Sequence, residues 1–370
     1  MRLHPFKLER FFAQHEFTAP LLLCASDCES FSIQEILDLE PDAARRFSAH
    51  RLGYTESEGS PSLREAISKL YTTIGPADVL VHGGAEEAIF TFVNSCLGPG
   101  DHVIVHSPCY QSLVEIARGV GCTITPWAGT AANGWAPDPM QLEDGITNRT
   151  RAIIVNTPHN PTGFVISPGV MQEVIEVSRR NGVILFSDEV YRGLEYDSTA
   201  TPPAACDLYE DAVSLGVMSK TYGLAGLRIG WVATSNRRLR EAMWTFKDYT
   251  TICSSGPAEF LAEVALRGGD RIIQRNREII QANLELLRQF FAEHHDVVRW
   301  TEPRAGPIGY PTIVTGEPPE VFCQRVLSQT GVLLLPGSVY DDASREFRIG
   351  YGRRNMPEAL SRVSGWLHQR

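Results

Sequence analysis

The sequence predicts an α/β protein of two domains: a large, doubly wound domain with a mostly parallel sheet, and a smaller α+β domain. Three observations predict it. The chain has 370 residues, more than the ~100–200 that one compact domain usually takes. From about Val79 onward, short apolar runs rich in β-branched residues alternate with longer helical stretches. Past residue 236 that alternation stops, and long helical stretches lead into short strands and helices.

In chain order, residues 1–45 carry helix signals without strand–helix alternation and are expected to pack with the small domain, which spans 266–370. The large domain spans 46–265, between these two pieces. After Val79–Val81 its strand runs are HVIVHSP (102–108), CTITPW (122–127), RAIIVNTP (151–158), GVILFSDEVY (182–191), AVSLGVMS (212–219) and LRIGWVAT (227–234). They are nearly continuously apolar, as strands covered on both faces by crossover helices are. Between them lie AEEAIFTFVNSCL, SLVEIARGV and PGVMQEVIEVSRRNG. The last has Pro168 in its first turn and Asn181-Gly182 at its end, which is good helix punctuation. Residues 236–295 read as two long helices interrupted near Gly268-Gly269. YPTIV, GVLLLPG and FRIGYG then interleave with helices at about 318–329 and 357–369.

Composition narrows the function. With 43% hydrophobic and 21% charged residues, the chain matches an ordinary globular protein, which excludes wholesale disorder or a fibre. A net charge of −10 without a Lys/Arg-rich run argues against nucleic acid and anionic membranes as partners. The eight cysteines are scattered. With no C-x-x-C and no Cys/His cluster at zinc spacing, free thiols in a reducing cytosol are expected and a metal site is not. Charges break every apolar run of MRLHPFKLERFFAQHEF before a signal-peptide core forms. No stretch reaches the ~18 apolar residues of a membrane span. A cytoplasmic location is expected.

In α/β sheets chemistry gathers where strands end at their carboxyl edge. Those ends read Gly83-Gly84-Ala85-Glu86, Ser107-Pro108-Cys109-Tyr110, NTPHNPTG (156–163), Asp188-Glu189-Val190-Tyr191 and Ser219-Lys220-Thr221-Tyr222-Gly223. Singly, each has a structural explanation: a turn, a loop, a surface lysine. Five polar strand ends around one fold are harder to dismiss. NPTG, DEVY and SKTYGLAGLRIGW at these separations resemble the fold-type I, pyridoxal-phosphate-dependent aminotransferases of class I/II, over about Tyr54 to Arg348. The resemblance implies an aspartate-aminotransferase-like architecture. HGGAEEAIF, SPCYQSL and DYTTICSSGPAEF are similar to the branch containing capreomycidine synthase, which cyclises a hydroxyarginine.

The residue types suit that cofactor. Pyridoxal phosphate needs a lysine for its Schiff base and for proton transfer, and Lys220 follows an apolar strand. Its ring nitrogen stays protonated beside a buried carboxylate: Asp188 by family position, with Glu189 the alternative. By resemblance, Asn160 and Tyr191 donate to the ring's 3′-oxygen, and Tyr110 stacks on the ring unless it is a core tyrosine. The phosphate wants helix N-terminal N–H groups and a cation. Gly84-Ala85-Glu86 opens a helix after the first strand, and Arg228 lies at the family's separation from Lys220. Tyr54 resembles the tyrosine that reaches the other subunit's phosphate, which implies a homodimer with shared active sites.

Two departures stand out. Val217 occupies the position three before Lys220, where the family usually has Ser or Thr to bond the phosphate, and Ser219 is the nearest substitute. Arg304-Ala305-Gly306-Pro307 replaces a frequent paired glycine and substrate-side aromatic. Arg348 matches the family's α-carboxylate arginine, whose planar fork fits that group. Asp27 and Glu29 either suit a cationic substrate or are solvated loop charges. The implied reaction moves the amino group of an L-amino acid to a 2-oxo acid through pyridoxamine phosphate. The same residues also serve elimination, replacement or cyclisation of a hydroxylated amino acid. A non-catalytic sensor is disfavoured because the ~45 residues before the resemblance hold no basic recognition helix. A nicotinamide dehydrogenase is disfavoured because no G-x-G-x-x-G follows the first strand.

Overall fold

A seven-stranded sheet organises the chain, and the computed structural model describes residues 2–197, 202–340 and 345–369. Helix α1 (Lys7–His15), strand β1 (Leu21–Leu22) and helices α2 (Ile33–Leu37), α3 (Ala43–Ser48) and α4 (Pro61–Ser68) precede it. Alternation then runs β2 (Val79–His82), α5 (Ala85–Cys96), β3 (His102–Ser107), α6 (Ser112–Val120), β4 (Thr123–Ala128), α7 (Pro139–Asp144) and β5 (Thr150–Asn156). It continues through α8 (Pro168–Asn181), β6 (Ile184–Asp188), α9 (Ala205–Leu208), β7 (Ala212–Val217) and β8 (Gly230–Ala233). Local chemistry sets the ends of α8: Ser167 Oγ accepts the N–H of Val170, Pro168 opens the first turn, and Gly182 closes the helix at φ 60°.

The strand order is β2-β8-β7-β6-β5-β3-β4, with β3 to β7 in parallel register. This is the doubly wound, mostly parallel sheet expected. β8 alone runs antiparallel to both its neighbours. Its link to β7 carries one short 3₁₀ turn (Ala225–Leu227) in place of a crossover helix, and without a crossover a strand returns antiparallel. Alternate strand residues feed two cores. Ala152 and Ile154 join Ile89, Phe92 and Ile116 on one face, while Ile153 and Val155 join Met171, Val174 and Ile175 on the other. The run at 122–127 departs from the expectation of double burial. β4 is the sheet edge, with Thr123 and Pro126 exposed, which is where a strand tolerates proline.

Residues 236–295 form three helices where two were expected: α10 (Arg237–Lys247), α11 (Gly256–Arg267) and α12 (Gly269–Glu293). The break at Gly268 is as expected. The additional break falls where Ile252 adopts a left-handed φ of 64°. Buried Lys247 donates there to the carbonyls of Ser57 and Ile252, each at 2.6 Å, which ties the loop down. Strands β9 (Val298–Arg299), β10 (Ile308–Gly309), β11 (Thr312–Ile313), β12 (Val332–Leu333), β13 (Leu335–Pro336) and β14 (Phe347–Gly350) follow, with helices α13 (Pro319–Thr330) and α14 (Met356–Leu367). β1 pairs in parallel with β12. By contrast, Ile36 of α2 and Ala43 of α3 share a core with Leu261 and Ala262 of α11. No described helix is long and apolar enough to cross a membrane.

Candidate active site

A cavity of about 430 Å³ opens at the carboxyl ends of β5, β6 and β7, bounded by α1 and the start of α5. Ala85, Glu86, Tyr110, Asn160, Asp188, Tyr191, Ser219, Lys220, Arg228, Arg348 and Asp27 all line it. Of the site residues expected from sequence, Gly84, Tyr54, Glu29 and the alternative carboxylate Glu189 are not in its wall. Gly84 adjoins it, and Tyr54 stands 95% exposed on the surface.

The N-terminus of α5 forms an anion cradle. Gly84 has φ 102°, and a Cβ built on it would lie 2.7 Å from Arg228 Nη2. A Cβ on Gly230 would lie 2.7 Å from the Gly84 carbonyl carbon. Two glycines therefore let the arginine and the β8 backbone close onto the helix start, where free N–H groups and the helix dipole favour an anion. Burial pushes the Glu86 carboxyl above the usual range, against the hydrogen bond that Ser112 Oγ donates to it. Val217 and Ser219 both face this cavity.

Lys220 Nζ donates to Ser26 Oγ at 2.8 Å. Burial pushes its amine below the usual lysine range, although Asp27 opposes the shift, and a neutral amine is the nucleophilic form. Asp188 is 5% exposed, and burial pushes its carboxyl up to about 7 against the N–H of Val190 and the charge of Lys220. Glu189 is turned elsewhere, accepting from Ala205 N and Ser214 Oγ. Tyr110 packs its ring on Phe6, with centroids 5.1 Å apart, and donates to Glu9 Oε1 at 3.4 Å.

Arg348 is 1% exposed. Its Nε donates to the Cys24 carbonyl at 3.0 Å, and its Nη1 to Tyr340 Oη at 2.6 Å. Among the described residues its buried Nη2 has no hydrogen-bond partner, and neither has the buried hydroxyl of Tyr191 at hydrogen-bond geometry, although Ser26 stands close to that hydroxyl. Buried polar groups are normally satisfied, so these two point to a ligand. One substrate expectation needs correcting. Asp27 is not a free anion, because Arg353 Nη2 donates to both its oxygens, at 2.8 and 3.0 Å. Glu29 is turned to the backbone N–H of Arg354.

Sequence reasoning missed Glu9, Phe12 and Glu16, which bring one face of α1 into the cavity wall. Their i, i+3, i+7 spacing marks one helix face, but no strand-end motif flags them. It also missed Asn156 and Tyr340. Asn156 Nδ2 donates to the Asp188 carbonyl at 2.9 Å, and its Oδ1 accepts the N–H of Asn160 at 2.7 Å.

A family model described as aminotransferase class I and II matches residues 18–363. Capreomycidine synthase of Streptomyces vinaceus is 28% identical over 362 residues, covering 96% of this chain and 92% of that protein. A PLP-dependent aminotransferase from Streptococcus suis 89-1591 superposes with TM-score 0.94 at 31% identity, over 100% of this chain and 99% of that one. The PLP-dependent cyclase OrfR superposes with TM-score 0.92 at 31% identity, over 100% and 98%. The chain belongs to the class I and II aminotransferases, and its cofactor is pyridoxal phosphate. The cradle, the amine of depressed pKa, the buried carboxyl and the two unpartnered donors fit that group.

Proposed function

We propose that the protein moves the amino group of an L-amino acid to a 2-oxo acid, with the work divided among the residues of this one cavity. The convergence of Lys220, Asp188 and Arg348 carries the reading. Pyridoxal phosphate, when bound, supplies an electron sink for the charge left on the substrate Cα. Arg228 and the N–H groups of Ala85 and Glu86 would hold its phosphate, with Ser219 as the available hydroxyl; the Gly84 N–H, expected to join them, is given instead to the His82 carbonyl at 2.8 Å. Asp188 keeps a proton on the ring nitrogen. Asn160 and Tyr191 would donate to the ring oxygen, and Tyr110 would cover the ring. Lys220 Nζ takes the proton from the substrate Cα. Arg348 holds the substrate α-carboxylate, which orients the bond to be broken.

The enzyme acts as a homodimer in the cytoplasm. Leu52, Tyr54 and Tyr249 are 84%, 95% and 87% exposed, large side chains of the kind a subunit interface covers. Tyr54 crosses to the partner's phosphate. All eight cysteines are free, which suits a reducing compartment. The large domain spans 46–265 and the small one 266–370; of residues 1–45, β1 joins the small domain through β12, whereas α2 and α3 pack on α11 of the large one.

Glu9 and Glu16 favour a second reading. Both carboxylates line the cavity, and neither is in an ion pair among the described residues. They suit a substrate with a cationic side chain, and the cyclase OrfR shares the fold at 31% identity. In that reading the same lysine, aspartate and arginine cyclise a hydroxylated amino acid. Single-turnover absorbance with one amino acid and no oxo acid separates the two. Transamination leaves the cofactor in its amine form, whereas cyclisation or elimination returns it to the starting spectrum.

A further inference from the structure

Tyr340 is absent from the cavity wall, yet it is bonded to two residues that form it. Its hydroxyl donates to Asn160 Oδ1 at 3.0 Å and accepts from Arg348 Nη1 at 2.6 Å. Arg348 Nη1 also reaches Asn160 Oδ1, at 3.3 Å. We propose that Tyr340 is a positioning residue: its hydroxyl locks the Asn160 amide and the Arg348 guanidinium so that Asn160 Nδ2 and Arg348 Nη2 face the cofactor and substrate. The inference rests on the roles proposed above for Asn160 and Arg348.

A carboxamide has one accepting end and one donating end, so its neighbours decide which faces the site. Two donors converge on Asn160 Oδ1, and together they use both lone pairs of that oxygen. The backbone N–H of Asn160 is held separately by Asn156 Oδ1 at 2.7 Å. With backbone and oxygen both fixed, Nδ2 is left as the free end, and a donor is what a ring oxygen requires. The guanidinium is treated the same way. It is planar, so bonds from Nε to Cys24 and from Nη1 to Tyr340 fix its plane and the direction of Nη2.

Tyr340 is suited to this task. It is 7% exposed, and its ring meets Tyr310 edge-on with centroids 5.8 Å apart. Burial pushes its phenol up to about 12 despite the adjacent Arg348, so the hydroxyl keeps the proton it donates. One hydroxyl thereby couples the ring-oxygen donor to the carboxylate anchor, residues 188 apart in sequence.

Tyr340→Phe removes one oxygen and tests this in the holoenzyme. The KM values for amino acid and oxo acid should rise together by about tenfold, the scale of one lost hydrogen bond to a charged group, while kcat changes less. The pH at which the bound cofactor's absorbance changes should move upward, because an ill-held Asn160 donor stabilises the anionic ring oxygen less. A lower melting temperature with unchanged KM values and an unchanged spectral midpoint would assign Tyr340 a structural role only and overturn the proposal. If the phenylalanine variant does not fold, 3-fluorotyrosine placed at position 340 retains the shape and donates more strongly. The midpoint should then move downward, and no movement overturns the proposal. Arg348→Ala run in parallel separates the two levels. If it leaves both KM values unchanged, the anchor assignment fails and Tyr340's role falls with it. If it raises them while Tyr340→Phe does not, only the Tyr340 proposal fails.

Discussion

Lys220 and Ser26 are 194 residues apart in sequence, and the lysine Nζ donates to the serine Oγ across 2.8 Å. The N-terminal segment therefore closes directly over the reactive amine. The bond also orients Nζ, which otherwise faces a cavity shared with Tyr191, whose ring centre lies 6.0 Å away.

Lys220→Ala should abolish both turnover and the protein–cofactor bond that borohydride reduces. Peptide mapping of the reduced wild-type protein checks the assignment. A label on Lys247 would overturn it, although that amine is committed to two backbone carbonyls.

Asp188→Asn should lower kcat by more than about a thousandfold, roughly 4 kcal/mol of barrier, because a neutral amide does not hold the ring nitrogen protonated. The apoprotein should respond in the opposite direction. An unfolded aspartate titrates near ~3.9, and burial raises the folded value to about 7. A raised carboxyl stabilises the fold below the lower value, and that contribution is lost as pH climbs through the upper one. At pH 8 the apo variant should therefore melt higher than wild type, on the order of 5 °C, and the gap should close toward pH 4. Calorimetry of the cofactor-free proteins across this range decides it.

Arg348→Ala should raise KM for amino acid and oxo acid alike, with a loss of ~2–4 kcal/mol in kcat/KM, while the cofactor stays bound. Arg348→Lys keeps the charge but not the fork, so it should also be costly. If both KM values stay within about twofold of wild type, the carboxylate is anchored elsewhere.

Val217→Ser places a hydroxyl in the cavity wall near the anion cradle. Cofactor affinity should rise by about tenfold if that hydroxyl reaches the phosphate. Equilibrium dialysis giving an unchanged Kd would show that Ser219 already fills the role.

Sedimentation should give a species near twice 41.0 kDa, and Leu52→Asp should shift it toward the monomer with loss of activity. An active monomer would end the shared-site proposal for Tyr54.

The sheet was legible in the sequence because a parallel strand buried on both faces is apolar along most of its length, as β5, β6 and β7 are. The rule failed at β4, because edge or interior position depends on strand order, which no local pattern encodes. The break at 248–255 was missed for a similar reason: Lys247 holds that loop through Ser57, 190 residues away. Lys220, Asp188, Asn160 and Arg228 were identifiable because each lies at a strand end or a fixed distance from one. Glu9, Glu16 and Tyr340 were not. Their contributions are set by what folding brings beside them, such as the Arg348 and Asn160 atoms that meet at the Tyr340 hydroxyl. The same holds for Asp27, whose charge was plain in the sequence but whose partner, Arg353, lies 326 residues on. Residue type and strand position are local properties, whereas the pairing of charges and the facing of amides are long-range contacts that only the tertiary structure decides.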